Sequence, residues 1–419
     1  MNIDLKIEGL FGYFNYHLKF DKNINLITGP NGYGKTTVLS IIYAISQNNL
    51  VDLSKLEFNS INIITKDSKV LISKTKEKNI LNFDINGEKS NLNVDNQIKK
   101  IREERNSILH IVEDDLWVNR ATGKLFNDEE LFKHFNHKKG SPDISIGFPT
   151  VYMVKAQRLI SSFKKNRPSM DRFIDRANNK EVNEVNFNFK IEEYSKEIKD
   201  KFEELVMQYY KKGQELDRLF PKKLFDHKNK MAESQYNKKF ENLVKKQKLL
   251  AKYNLSVRDD LEFPKFSEEL SAVFAVYLSD TEDKLKVFDN LIEKLEIFTK
   301  ILNEKNFVNK SISVNTVDGI VVTTNKNKKL PLKELSSGEQ NEIVLMYELL
   351  FKTDRNTILL IDEPEISLHV VWQKSFIKDL KKIVDLNNIT AIVATHSPNI
   401  INKSWELTQD LYKLSLEGN

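Results

Sequence analysis

Short stretches of alternating apolar and polar residues open the chain. Residues 3–8 (IDLKIE), 16–20 (YHLKF) and 24–28 (INLIT) read as strands by their period of two and their β-branched content. GPNGYGKTT follows the third run, and VLSIIYAISQ beyond it carries the apolar face of a helix. Strand-like runs recur from Phe58 to Phe83 (INIIT, KVLIS, ILNFDI), and Asn86-Gly87 is a turn signal. A helical stretch near 97–105 leads into a polar region of weak periodicity that lasts to Ser141. PTVYMVKAQRLI then predicts a buried strand running into a loop.

The period changes after residue 188. Ile191, Ile198, Leu205 and Leu219 fall on a seven-residue repeat with Phe202, Tyr209 and Leu216 beside them. Leu285, Phe288, Ile292, Leu295 and Leu302 keep the same spacing. These segments predict antiparallel helices of an arm, or equally the amphipathic helices of an ordinary bundle. SISVNTVDGIVVTT then predicts a hairpin turning near Asp318-Gly319. The last part reads strand (TILLID), helix (SLHVVWQKSFIKDLKKIV), strand (TAIVAT) and a tail after HSPNII. No repeat of roughly 20–50 residues is present. The expected organisation is an N-terminal lobe over 1–160, a helical insertion over 161–305 and a C-terminal lobe over 306–419.

Composition narrows the function classes. The 419 residues contain no cysteine, which excludes disulfides, thiolate metal sites and a cysteine nucleophile. No apolar run approaches the roughly 20 residues of a membrane span, and the N-terminus lacks the basic start and apolar block of a signal peptide. A cytoplasmic protein with no membrane partner is expected. The net charge is +5, yet residues 151–260 alone hold 26 Lys and Arg against 17 Asp and Glu. A basic middle suits a polyanionic partner such as nucleic acid, and suits solvated lysine-rich helices as well.

Four stretches carry candidate chemistry. Gly29 to Thr36 fits G-x-x-x-x-G-K-[ST] in full, between a strand and a helix. Glycines such as Gly32 and Gly34 let backbone N–H groups converge on an anion, and the helix N-terminus adds partial positive charge. Asn31 and Thr37 flank that cradle, Lys35 reaches the β- and γ-phosphates, and the Thr36 hydroxyl ligates Mg²⁺. TILLIDEPE sets Asp362 and Glu363 at a strand end, where alternation sends them to different sides. Asp362 then suits Mg²⁺, and Glu363 suits the general base that polarises water. Gln157 lies just past a strand and can orient water and touch Mg²⁺. His396 stands at a strand's carboxyl end, where ligands collect in open α/β sheets. In LSSGEQ, residues 335–340, Ser336 and Ser337 can cap a helix with Glu339 in its first turn.

Phosphate loop, glutamine after a strand, LSSGEQ, ILLIDE and a strand-end histidine stand in the motif order of ABC-type ATPases, which this chain resembles over about 1–60 and 310–402. The resemblance implies an α/β P-loop head, a mixed sheet with flanking helices and an antiparallel β part, carrying a coiled-coil-like helical insertion. It implies ATP and Mg²⁺ as cofactors and hydrolysis to ADP and phosphate. In this superfamily the signature binds the γ-phosphate held by the opposing subunit, so two nucleotides lie between two heads. Ser336 and Gly338 are the phosphate contacts that this implies, with Glu339 beside them. Ser337 stands where the common form has glycine. EISLH at 365–369 lies where these proteins have the loop crossing the dimer seam.

IDEPEISLH and ATHSPNII are similar to the OLD-type ATPases, which include those of the Gabija, Septu and PARIS defence systems; Val370 stands where that group has proline. VKAQRL, LSSGEQNEIVLMYELLFK and SLHVVWQ most resemble the stand-alone defence ATPases, as in PARIS or Septu. OLD nucleases carry a TOPRIM domain after the ATPase, whereas here a short tail follows His396. The resemblance therefore implies a homodimer of heads or a higher homo-oligomer, an effector in trans such as a TOPRIM-like or HNH nuclease, and nucleic acid or a phage protein as trigger. A DNA-repair or SMC-like ATPase is the alternative, and it predicts longer arms. A transporter subunit predicts a membrane partner, and a nucleotide-binding scaffold predicts a damaged catalytic set.

Overall fold

The computed structural model describes residues 2–75, 80–104, 109–113, 116–119, 125–127, 132, 142–155, 160–163, 187–226, 231–255, 265–305 and 307–417. The chain forms two compact units, one from residues 1–156 and 351–419, the other from 157–350.

The first unit contains a parallel sheet ordered Val151–Val154, Ile358–Asp362, Thr390–Ala394, Ile24–Thr28, Thr408–Asp410. Its inner strands, INLIT, ILLID and TAIVA, are buried at every position. Strands covered on both faces need unbroken apolar runs, and the sequence supplies them. Helix Lys35–Ser46 packs Val38, Leu39, Ile41, Ile42 and Ile45 into the same core. A six-stranded antiparallel sheet, ordered Phe14–Phe20, Ile3–Leu10, Ser60–Ile64, Lys69–Thr75, Ile80–Ile85, Glu88–Asn93, adds its one apolar face. The parallel and antiparallel strands thus belong to separate sheets. Asn86 and Gly87 both have positive φ, as the tight turn between Ile80–Ile85 and Glu88–Asn93 requires. Two features are absent from the sequence reading. A three-stranded sheet (Leu109–Glu113, Leu116–Asn119, Leu125–Asn127) lies in the polar region, and Thr408–Asp410 adds an edge strand.

The second unit contains helices Lys190–Asp226, Glu233–Ala251, Ser271–Leu285, Asp289–Glu304 and most of Ser337–Phe351, with a hairpin sheet led by Lys310–Asn315 and Gly319–Thr324. The heptad positions Ile191, Ile198, Phe202, Leu216, Leu285, Phe288, Ile292, Leu295 and Leu302 are buried. Ion pairs such as Lys212–Glu215 and Lys286–Asp283 lie at the helix surfaces. Such pairs contribute little, so the apolar positions hold the arm together.

Candidate functional site

The strand Ile24–Thr28 runs into a loop that closes on helix Lys35–Ser46. Gly34 caps that helix with φ 80, and a Cβ there would meet Leu10 and Phe11 side-chain carbons at 3.1 and 3.2 Å, so only glycine suits both backbone and space. The first amides of the helix have no carbonyl one turn back and point out of its N-terminus. Lys35 is buried, and its ammonium donates to the Gly29 and Pro30 carbonyls at 2.9 and 3.1 Å. Asn31 and Gly32 are exposed and Thr37 is half-buried.

The Thr36 hydroxyl donates to Asp362 Oδ1 at 3.0 Å, joining the loop to the acidic strand end. Asp362 is buried, and that burial holds its carboxyl above the ordinary carboxylate range; Glu363 and Glu365 push it further, against Thr36 and Lys35. The strand ends at Asp362. Glu363 has left it, with φ 42 and ψ 61 and its N–H donating to the Ala394 carbonyl at 2.9 Å. Strand alternation therefore does not govern the Asp362–Glu363 pair. A non-glycine residue held there costs on the order of 1 kcal/mol, so the surrounding contacts fix it.

His396 follows the neighbouring strand. Its Nδ1 faces two carboxylates, Glu365 Oε1 at 3.2 Å and Glu363 Oε1 at 3.5 Å. Glu365 is buried, and its Oε1 also accepts from the Thr395 hydroxyl at 2.7 Å and the His396 N–H at 2.9 Å. The Gln373 amide donates to the Glu365 and Leu368 carbonyls and accepts from the Ser397 hydroxyl, tying the 365–369 loop to the histidine turn. Glu365 is a functional candidate that the sequence reading passed over. Its signal is a second carboxylate two residues past Glu363, between Pro364 and Ile366. Aromatic rings beside the phosphate loop were also missed: Phe14 lies 5.0 Å from Tyr33 and Tyr33 lies 5.7 Å from Tyr412. The density of rings in FGYFNY is the signal there.

Lys35, Thr36, Asp362, Glu363 and His396 thus converge in the first unit. Ser336, Gly338 and Glu339 belong to the second. Gln157 lies outside the described residues. In the signature turn, Glu339 Oε2 accepts from the Ser336 N–H at 2.9 Å and the Ser336 hydroxyl at 3.0 Å, and the Glu339 N–H donates to Ser336 Oγ at 3.3 Å. This is a capping box. Lys310 donates to Glu339 Oε1 at 2.6 Å. Glu339 is buried, yet its carboxyl lies below its ordinary range: burial opposes ionisation, and the Lys310 and Ser336 bonds outweigh it. Gly338 has open space where a Cβ would stand. Further along this helix Glu342 pairs with Lys305 at 3.3 Å, and Glu348 accepts from Tyr194 at 2.6 Å and Lys190 at 3.1 Å. Both roots of the helical arm are therefore bonded to the signature helix.

A phosphate loop on a parallel-strand end, with a hydroxyl–aspartate link and an acidic and histidine-bearing pair of neighbouring strands, defines an ABC-type P-loop ATPase. The chain belongs to the AAA ATPase domain family, whose sequence model matches residues 1–401. It is 51% identical over 39 residues to the Septu protein PtuA of Bacillus thuringiensis, covering 9% of this chain and 10% of that protein. It is 25% identical over 145 residues to the methionine import ATP-binding protein MetN of Clostridium tetani, 35% of this chain and 42% of that one. A stretch of 72 residues is 32% identical to protein ea59 of Escherichia phage lambda, covering 17% of this chain and 14% of that protein. The chain thus spans less than half the length of each of these relatives. Among solved structures it aligns with the Smc head domain of Pyrococcus furiosus bound to the C-terminal domain of ScpA, with TM-score 0.37, 16% identity, and 96% and 91% of the two chains covered. No helix among the described residues is long and apolar enough to cross a membrane.

Proposed function

We propose that this ATPase is the nucleotide-driven switch of a prokaryotic anti-phage defence system, working with a separate effector chain of nuclease chemistry. The observation that carries the ATPase half is the convergence of Lys35, Thr36, Asp362, Glu363, Glu365 and His396 at the carboxyl ends of neighbouring strands. The defence half is supported by the OLD-type motifs and the similarity to PtuA.

Lys35 and the first amides of its helix take up phosphate charge. Mg²⁺ would be held by the Thr36 hydroxyl and Asp362, where burial and the Glu363 and Glu365 charges disfavour a bare carboxylate; when bound it would neutralise phosphate oxygens. Glu363 takes the proton of the attacking water, and His396, held between Glu363 and Glu365, donates toward the γ-phosphate. The rings around Tyr33 offer the flat surface on which a purine stacks. Gln157 is proposed to orient the water, as its position after a strand suggests.

Ser336 and Gly338 bind the γ-phosphate of a second copy. Gly338 is compatible with this: no described atom lies within 4 Å of where its Cβ would stand, so the turn is open to an approach from outside. ATP then closes two heads, and the arm bonded to the signature helix carries closure to the effector.

Glu363→Gln should retain ATP binding and lose hydrolysis by about 10²- to 10⁴-fold, the usual worth of a general base. Single-turnover assays with γ-labelled ATP read this out, and a wild-type rate would remove the assignment. Action on DNA is a second reading, favoured by the basic stretch 151–260. It requires binding that weakens steeply with salt.

A further inference from the structure

We propose that Lys310 is a positioning residue of the signature turn, there to cancel the charge of Glu339 so that the turn can accept a phosphate. This deepens the reading that Ser336 and Gly338 meet a γ-phosphate in trans, and it rests on that reading.

The capping box creates an electrostatic problem. Glu339 holds the turn in shape by accepting both the N–H and the hydroxyl of Ser336. The same carboxylate is buried one turn from where a phosphate must sit. Ser336 and Ser337 are exposed, but a second copy closing over them would remove the water that screens two anions, and their repulsion would then grow. The helix N-terminus offsets part of this, about half a unit charge. Lys310 supplies the rest. Its Nζ lies 2.6 Å from Glu339 Oε1, with side-chain exposures of 23% and 12% for lysine and glutamate. Lys305, at the end of the last arm helix, is engaged with Glu342 instead.

Lys310 also has a set place. It opens the strand Lys310–Asn315, which follows the last arm helix after a short turn and pairs with Gly319–Thr324. The Lys310 N–H donates to the Phe307 carbonyl at 3.0 Å, and the next-but-one residue Ile312 exchanges bonds with the Asn303 side chain at 2.8 Å. The lysine is thus delivered by the junction between arm and hairpin.

The test uses the full chain with AMP-PNP and Mg²⁺, following dimerisation by sedimentation velocity and monomer affinity with a fluorescent ATP analogue. Lys310→Met should weaken nucleotide-driven dimerisation about tenfold or more, within the usual range of coupling between sites, while monomer affinity changes less than about twofold. Lys310→Arg should rescue most of the loss. The double variant Lys310→Met/Glu339→Gln should recover it too, because the uncompensated carboxylate is gone; a merely structural lysine would not behave this way. Glu339→Gln alone should dimerise more tightly than wild type, which keeps the inference testable if Lys310→Met is unstable. Wild-type dimerisation of Lys310→Met, or a double variant no better than the single, overturns the inference. If Ser336→Ala and Gly338→Val also dimerise normally, the in-trans reading itself falls. If they fail while Lys310→Met does not, only the role of Lys310 falls.

Discussion

The phosphate-loop site and the signature turn both contain a lysine and a buried carboxylate, and the two are wired in opposite ways. In the first, Lys35 donates to two backbone carbonyls while Asp362, Glu363 and Glu365 crowd one another. In the second, Lys310 and Glu339 bond directly and the capping box satisfies the remaining oxygen. The Asp362 carboxyl is held above its ordinary range and the Glu339 carboxyl below it. One site carries more carboxylate than cation and one is already balanced. A site that must gather a metal and a triphosphate gains from the first arrangement. A surface that must greet a nucleotide already held elsewhere gains from the second.

The sharpest way to break this contrast is at Lys35. Lys35→Ala should abolish measurable nucleotide binding and cut hydrolysis at least about 100-fold, since a single preorganised donor to a developing oxyanion is worth about that much. Equilibrium titration with a fluorescent ATP analogue checks it. Retained affinity would mean that the loop carbonyls are the true partners of Lys35. A smaller effect is expected at Glu365. Glu365→Gln should lower hydrolysis about 10- to 100-fold, the usual worth of a group that orients a functional side chain, with nucleotide affinity little changed. A fall in melting temperature with an unchanged turnover rate would leave Glu365 only a structural bond to Thr395.

The smallest effect concerns stability. Because the folded state raises the pKa of Asp362, the folded protein holds that proton more firmly than the unfolded chain. The contribution is fully present below the ordinary aspartate range and is lost as pH rises through the raised folded value. Asp362→Asn should therefore remove that decline and raise the melting temperature at pH 7 without nucleotide, while abolishing Mg²⁺-dependent hydrolysis. Calorimetric scans across pH 4–7 read the window directly. An identical decline in the variant would assign it elsewhere.

How much of this was legible beforehand follows from the range of each signal. The parallel strands were plain, because burial on both faces demands apolar runs such as ILLID and TAIVA. The phosphate loop was plain because its glycines and lysine lie within eight residues. The Glu363 turn was not, because strand alternation says nothing about a residue that adopts a left-handed conformation past the strand end. Thr408–Asp410 was not, because three polar residues at a sheet edge leave no pattern. Lys310 was invisible for a different reason. It meets Glu339 across 29 residues, and one lysine among many charged positions carries no local mark.

The placement of the strand Ile24–Thr28 has a consequence for biosynthesis. Its two sheet neighbours are Thr390–Ala394 and Thr408–Asp410, more than 350 residues downstream. At about 5–20 residues per second, a ribosome takes roughly 20–80 s to make that interval, and until then Ile24–Thr28 lacks both sheet neighbours. The segment 157–350 forms its own compact unit and is synthesised about 2–8 s before the first of those strands. Both the N-terminal antiparallel sheet and the helical arm can therefore form before the phosphate-loop strand is paired, so nucleotide capture waits for the C-terminal strands.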